Sequence, residues 1–253
     1  FEDLIKNSKA DYIVLTSPNG LHSSQSIYAA ESGFNVVTEK PMSINLNDSL
    51  SMIKAFNNAK KKLFVVKQVR LLERIKLLKQ AIDKGHFGKI FLSSFNLFWS
   101  RPQSFFDQAS WRGTKKLDGG MLYNQAIHYI DLMSWLLGPV ESLNCYAKTL
   151  SRNIECEDTS IINLNFKSGS IGSFNSTILT YPKNLECSFT IIGEKGTVKI
   201  GGSALDKIET WDFEDNFGKD LIHKDKENFN HGPFYEGLLK EENENINFPF
   251  KGE

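Results

Sequence analysis

The chain has 253 residues, 40% hydrophobic and 24% charged, and its 30 basic and 30 acidic residues give a formal net charge of zero. That length buries a core without a disulfide or metal staple, and the balanced charge excludes a general electrostatic role on nucleic acid or an anionic membrane. No run approaches the roughly 20 apolar residues of a membrane helix, and no signal-peptide pattern stands at the start, so a cytoplasmic protein is expected. Cys145, Cys156 and Cys187 form no C-x-x-C pair. They are expected as small buried hydrophobes rather than metal ligands.

Phe1-Glu2-Asp3-Leu4 lacks an initiator Met and reads as the inside of a helix whose start lies upstream. Residues 12–16 are a short apolar, β-branched strand, followed by the turn cluster Ser17-Pro18-Asn19-Gly20. A helix runs to about Ser32, and Asn35 to Thr38 is a second strand. Residues 46–62 read as a helix capped by Asn45 or Asn47, with Leu46, Leu50 and Ile53 on one face. Leu63 to Val66 is a third strand. Alternating strands and helices predict a parallel sheet covered on both faces, with ligands beyond the carboxyl ends of its strands. Those ends are Thr16–Asn19, Glu39-Lys40-Pro41 and Gln68–Arg70.

Residues 71–84 form a helix with Leu71, Ile75, Leu78 and Ile82 on one stripe, and Ile90–Trp99 reads as a strand. Asp118-Gly119-Gly120 opens a helix to about Leu137. From Pro139 the chain is β-rich, with hairpins at 159–179 and 185–200 and a strand at Lys207–Phe213. The expectation is an α/β part, residues 1–69, ahead of an α+β part, residues 70–253, built on a large, mostly antiparallel open sheet. The tail from Lys240 is polar and without a helical stripe.

Two features carry chemistry. Pro41 restricts Lys40 to an extended conformation at the ligand edge, where a lysine can hydrogen-bond a substrate hydroxyl or lower its pKa. On three residues alone, a solvated loop lysine weighs more. Asn124, His128, Asp131 and Trp135 share a helix face distinct from the apolar stripe Leu122, Ala126, Ile130, Met133 and Leu137. Either His128 is a general base oriented by Asp131 or a neighbour, with Asn124 on a substrate hydroxyl, or the stripe is a hydrogen-bonded surface. The two readings balance. The loop from Trp99 to Gly113, with Arg101, Gln103, Trp111 and Arg112, either suits stacking and phosphate contact or is an interface or packing loop. Thr180–Asn184 and His231–Tyr235 are further loops for a ligand or for plain connection. The sequence has no G-x-S-x-G, Walker A, H-E-x-x-H or G-x-G-x-x-G, and no histidine cluster for a metal.

Thr16-Ser17-Pro18-Asn19 with His22, Glu39-Lys40-Pro41, Gly119-Gly120, and His128 with Asp131 together resemble the glucose-fructose oxidoreductase and inositol dehydrogenase (Gfo/Idh/MocA) family. Asn124 to Asp131 and the segments 98–104, 111–114, 180–186 and 193–197 are similar to its bacterial UDP-N-acetylglucosaminuronate 3-dehydrogenases of surface-polysaccharide pathways. The resemblance implies a partial Rossmann sheet, whose glycine fingerprint lies upstream of Phe1, followed by an open-sheet domain. It implies a sugar dehydrogenase using NAD, with NADP the alternative, in which Lys40 and His128 are the catalytic pair and either takes the hydroxyl proton. Asn124, Gln103, Tyr181 and Asn184 join them on the sugar. Thr16, Ser17, Pro18, Asn19, His22, Glu39, Lys40, Gln68, Trp111 and Arg112 are the implied cofactor contacts. The competing reading is a noncatalytic sugar-nucleotide binding or assembly module. The mixed outer face of the 159–179 hairpin, with Ile161, Asn163 and Asn165, suits a second subunit, so a homo-oligomer is expected.

Overall fold

The computed structural model describes residues 1–224; the candidate loop His231–Tyr235 and the polar tail lie outside them. The first part runs α1 (Glu2–Asn7), β1 (Tyr12–Leu15), a 3-10 turn (Asn19–Leu21), α2 (His22–Glu31), β2 (Asn35–Thr38), α3 (Leu46–Ala59) and β3 (Leu63–Val65). β1, β2 and β3 pair in parallel in that order. Their β-branched runs have the helices packed over one face, where Ile13, Leu15, Val36 and Phe56 are buried with Ala29 and Ala30 of α2.

Three expectations change in this part. The expected stripe of α3 points outward: Leu46, Leu50 and Ile53 are all exposed, and Met52 and Phe56 face inward. Met52 and Phe56 are four residues apart, so they share a face. Asn45 caps α3 as expected, its side chain accepting from the Asp48 amide, but the helix stops at Ala59, where Lys60 turns left-handed. The sheet is also not covered on both faces by described residues, since Tyr12, Val14 and Phe64 are exposed.

A 3-10 turn (Gln68–Leu71) leads to α4 (Glu73–Asp83), then β4 (Ile90–Phe98), α5 (Gln103–Asp107), α6 (Met121–Asn124) and α7 (Ile127–Leu137). The predicted helix at 71–84 therefore starts later, and Leu71 leaves its stripe for solvent while Ile75 and Leu78 are buried. β5 (Val140–Lys148), β6 (Thr159–Phe166), β7 (Ile171–Thr177), β8 (Glu186–Gly193), β9 (Gly196–Gly201) and β10 (Lys207–Phe213) follow, then α8 (Lys219–Lys224). With β4 they form one sheet in the order β10-β9-β8-β4-β7-β6-β5, antiparallel except where β4 runs parallel to β7. Both predicted hairpins and the Lys207–Phe213 strand are present.

α4 and α7 cover one sheet face. Ile75, Leu78, Leu132, Met133 and Leu136 pack there against Phe95, Phe166, Phe174, Phe189 and Ile191. Each such side chain contributes about 1.5–3 kcal/mol when fully buried. The other face carries Asn96, Ser173 and Asn175, with Ile161 and Tyr146 exposed. Cys156 and Cys187 are buried as expected, but Cys145 is exposed because both faces of edge strand β5 lie open.

Candidate functional site

The carboxyl end of β2 delivers Glu39-Lys40-Pro41, and the Lys40–Pro41 peptide is cis. Two buried side chains brace this edge. His22, 1% exposed, sets Nδ1 2.8 Å from the Pro41 carbonyl and Nε2 2.9 Å from the Ser17 carbonyl. Both ring nitrogens are thus spent on backbone, and His22 ties β1 to β2 rather than presenting a nitrogen to a ligand. Asn19 reaches across to the second part, its Nδ2 donating to the Asp118 carbonyl at 2.8 Å.

The Asp118–Leu137 stretch is two helices, not one. Gly119 and Gly120 have φ of 84° and 101°. A Cβ on Gly119 would lie 2.8 Å from Ile44, and one on Gly120 2.6 Å from the Glu157 carboxylate. Glyless backbone could not make this approach. α6 ends at Asn124, Gln125 and Ala126 form a turn, and α7 starts at Ile127. The turn frees the Asn124 carbonyl, which accepts from Lys40 Nζ at 2.8 Å while Asn124 Oδ1 accepts at 3.2 Å. Asn124 Nδ2 in turn donates to the Asp118 carboxylate.

Lys40, Asn124 and His128 line one cleft of about 450 Å³ with Trp99, Ser100, Arg101, Phe105 and Gln125. Burial lowers the Lys40 ammonium below its usual value, against the opposing pull of Glu39 and Asp118. Burial, with Lys40 and Lys67 nearby, pushes His128 down to about 3, so its imidazole is neutral. His128 Nδ1 is buried without a hydrogen-bond partner. Asp131 does not orient it: that carboxylate is held bidentate by Arg70 at 2.7 Å from each oxygen, with Lys67 at 3.5 Å. Arg70 also lies 5.0 Å over the Trp135 ring. The polar stripe is therefore two devices, Asn124 and His128 on the cleft at its start and an ion-pair lock between the turn after β3 and α7 further on.

Other expected residues sit away from the cleft wall. Gln103 donates to Asp107 within α5 and accepts from the Asn153 amide. Asn184 accepts from the Ser100 amide, and so shapes the wall without facing the cleft. Tyr181 is 95% exposed. Arg112 stacks 4.1 Å over Phe105 and donates to the Phe105 carbonyl, which holds the loop closed, while Trp111 lines no part of the cleft. Thr16 is exposed and Gln68 half-buried at the strand ends, with Gln68 Oε1 buried and unpartnered.

Sequence reasoning missed one residue, Asp118, and placed Arg101 only within the 99–113 loop. Asp118, 3% exposed, was read only as a helix opener, yet it joins Asn19, Gly113 and Asn124. Arg101 lies over Trp99 and Phe105 at the cleft and pairs with no carboxylate among the described residues. An acid directly before two positive-φ glycines was the available signal for Asp118. For Arg101 it was the spacing of one Arg between Trp99 and Phe105.

A cis X-Pro lysine at a parallel-strand end faces an Asn and a His from two consecutive helices of an open-sheet domain, which makes a two-part architecture. Family comparison agrees along the chain: residues 1–67 match the oxidoreductase family with NAD-binding Rossmann fold, and residues 75–199 match the GFO/IDH/MocA C-terminal domain. The chain belongs to the Gfo/Idh/MocA family. Among solved structures it is 48% identical to the WlbA dehydrogenase of Chromobacterium violaceum in complex with NADH and UDP-GlcNAcA, over 95% of this chain and 70% of that one, with a TM-score of 0.87. It is 49% identical to the Bordetella pertussis WlbA dehydrogenase with the same two ligands, over 84% of this chain and 66% of that one, TM-score 0.83. The curated levoglucosan dehydrogenase of Pseudarthrobacter phenanthrenivorans is 23% identical over 83% of this chain. The chain spans 60% of that relative's length and 53% of the 2,7-anhydro-N-acetylneuraminate hydratase of Escherichia coli. Among the described residues no helix is long and apolar enough to cross a membrane, and no cluster of His, Cys, Asp or Glu is arranged to hold a metal.

Proposed function

We propose that this chain forms the catalytic cleft of a cytoplasmic NAD-dependent dehydrogenase that oxidises the C3 hydroxyl of a UDP-N-acetyl-hexosaminuronate, a precursor for surface polysaccharide. The observation that carries the reading is the meeting of Lys40, Asn124 and a neutral His128 on one cleft. The WlbA likeness supports the nucleotide-sugar substrate. Arg101, which pairs with no carboxylate among the described residues, supplies a charge-assisted donor for an anionic sugar or its diphosphate.

The residues fit the nicotinamide end of the cofactor. Three parallel strand ends converge beside the cleft, and the unpartnered Gln68 Oε1 is an acceptor suited to a carboxamide. A bound NAD would supply the hydride acceptor for oxidation at C3. The chain's own residues handle the proton. A base works best with a pKa near the working pH. His128, held at about 3, is far below it, whereas burial brings Lys40 down towards it. Lys40 therefore takes the hydroxyl proton: in its neutral form two N–H bonds go to Asn124 and the lone pair is left for the cleft. His128 keeps one ring N–H, which hydrogen-bonds the sugar oxygen as charge develops. Orientation by Asn124 and the Trp99–Phe105 wall supplies proximity. The exposed polar sheet face is the surface for a homo-oligomer.

The test is direct. The intact gene product incubated with NAD and UDP-GlcNAcA is expected to generate NADH fluorescence and a product lighter by one H₂ in mass spectrometry. Binding of the sugar nucleotide without either signal would leave a noncatalytic binder.

A further inference from the structure

Asp118 lies 99 residues from Asn19, whose side chain donates to its carbonyl, and it reaches Lys40 of the first part by way of Asn124. It is 3% exposed and forms no ion pair among the described residues. Its Oδ2 accepts from the Gly113 amide at 2.8 Å, and its Oδ1 accepts from Asn124 Nδ2, with Asn19 Nδ2 at 3.5 Å. A buried carboxylate held by hydrogen bonds rather than a direct ion pair is costly, and structural needs alone are met more cheaply by a neutral side chain.

The donor–acceptor logic explains what the charge does. An ionised carboxylate only accepts hydrogen bonds. Asn124 must therefore turn Nδ2 towards Asp118, which leaves Oδ1 towards Lys40 Nζ at 3.2 Å. A neutral amide at position 118 would remove that constraint. It could donate to Asn124 Oδ1, so that Asn124 Nδ2 faced Lys40, donor against donor.

We propose that Asp118 is a positioning residue for the proton transfer: its carboxylate fixes the Asn124 amide so that both oxygens of Asn124 hold the Lys40 amine, with the third position of the nitrogen aimed into the cleft. The backbone carbonyl of the same residue accepts from Asn19, which ties the loop after β1 to the α6 entry. The charged groups around Lys40 are Glu39 on its own loop, Lys67 at the end of β3, Asp118 before α6 and His128 on α7. Asp118 and Glu39 favour the ammonium, while Lys67 opposes it. Loss of the Asp118 charge therefore lowers the Lys40 pKa further. Since the amine must be neutral to accept a proton, activity rises with pH through that pKa, and its loss moves the acid limb to lower pH.

The inference rests on the reading of Lys40 as the proton acceptor, and the experiment separates the two. Two variants of the intact protein, Asp118→Asn and the exchange Asp118→Asn with Asn124→Asp, are compared with wild type and with Lys40→Met. The measurements are kcat and KM for NAD-dependent oxidation of UDP-GlcNAcA against pH, and the pH dependence of Lys40 acetylation by acetic anhydride, read by mass spectrometry. Asp118→Asn is expected to lose about 10²-fold in kcat, the scale of a misplaced reacting group, with KM little changed, and to move both the acid limb and the Lys40 labelling curve to lower pH. The exchange pair keeps the 118–124 hydrogen bond but sets a carboxylate on Lys40, so both curves move to higher pH. Unmoved curves in a folded Asp118→Asn protein would overturn the proposal, as would failure of both variants to fold, which makes Asp118 purely structural. Full activity in Lys40→Met would instead overturn the underlying reading of Lys40, and the proposal with it.

Discussion

The two parts of the chain are built on opposite principles. The seven-stranded sheet buries a continuous apolar layer beneath α4 and α7, including Phe95, Phe166, Phe174 and Phe189. The three-stranded layer has a much smaller core, leaves Tyr12, Val14 and Phe64 exposed, and holds its carboxyl edge with buried polar side chains, His22 and Asn19. The large sheet is the body that fixes α6 and α7 in place. The small layer is a platform for loops, and Lys40 is accurate in position because it is braced, not because it is packed. Proximity effects require such accuracy.

Four changes sharpen or break this contrast. Lys40→Met is expected to cost about 10²–10⁴-fold in kcat with an unaltered thermal midpoint; a large drop in midpoint would mean that Lys40 is structural. Phe189→Ala, wholly buried in the large sheet, is expected to cost about 3–5 kcal/mol of stability, read as a fall in the denaturation midpoint of the whole chain. Arg101→Leu removes the unpaired cation at the cleft and is expected to raise KM for the sugar nucleotide by about 10-fold or more, since a hydrogen bond to a charged group contributes about 1.5–3 kcal/mol, with kcat less affected. Tyr181→Ala, on a side chain 95% exposed, is expected to change stability by no more than about 0.5 kcal/mol and to leave KM alone. A rise in KM there would return the 180–184 loop to the substrate.

His128 adds a pH signature to the same contrast. Its folded value of about 3 lies below the ordinary 6.5, so the unfolded chain binds the proton more readily. Its contribution to stability is complete above pH 6.5 and declines as pH falls through the window down to about 3. His128→Asn is expected to flatten that part of the stability–pH curve, measured by urea denaturation. An equally steep decline would assign the acid sensitivity to other groups.

Much of the fold was legible from periodicity. β2, β6 and β10 fall where alternation or β-branched runs put them, and the ligand edge follows from parallel strand ends. The stripe of α3 was misassigned because Leu46, Leu50 and Ile53 are periodic but periodicity does not say whether a neighbour covers them; Met52 and Phe56 do the packing instead. The helix break at Gln125 was invisible because no Gly or Pro marks it, yet it is what releases the Asn124 carbonyl to Lys40. In the site, Lys40, Asn124 and His128 were readable from residue type and order. Asp118 was not, since its place depends on contacts made only in the fold, with Asn19 99 residues away and with Asn124.

The central claim is that hydride leaves the sugar carbon within the Lys40–His128 cleft. Single-turnover reduction of NAD by UDP-GlcNAcA deuterated at C3 tests it most directly, using the intact protein. The account predicts slower NADH formation than with unlabelled substrate and deuterium recovered at the nicotinamide. Reduced cofactor without deuterium, or no reduction by a protein that binds both ligands, would contradict it.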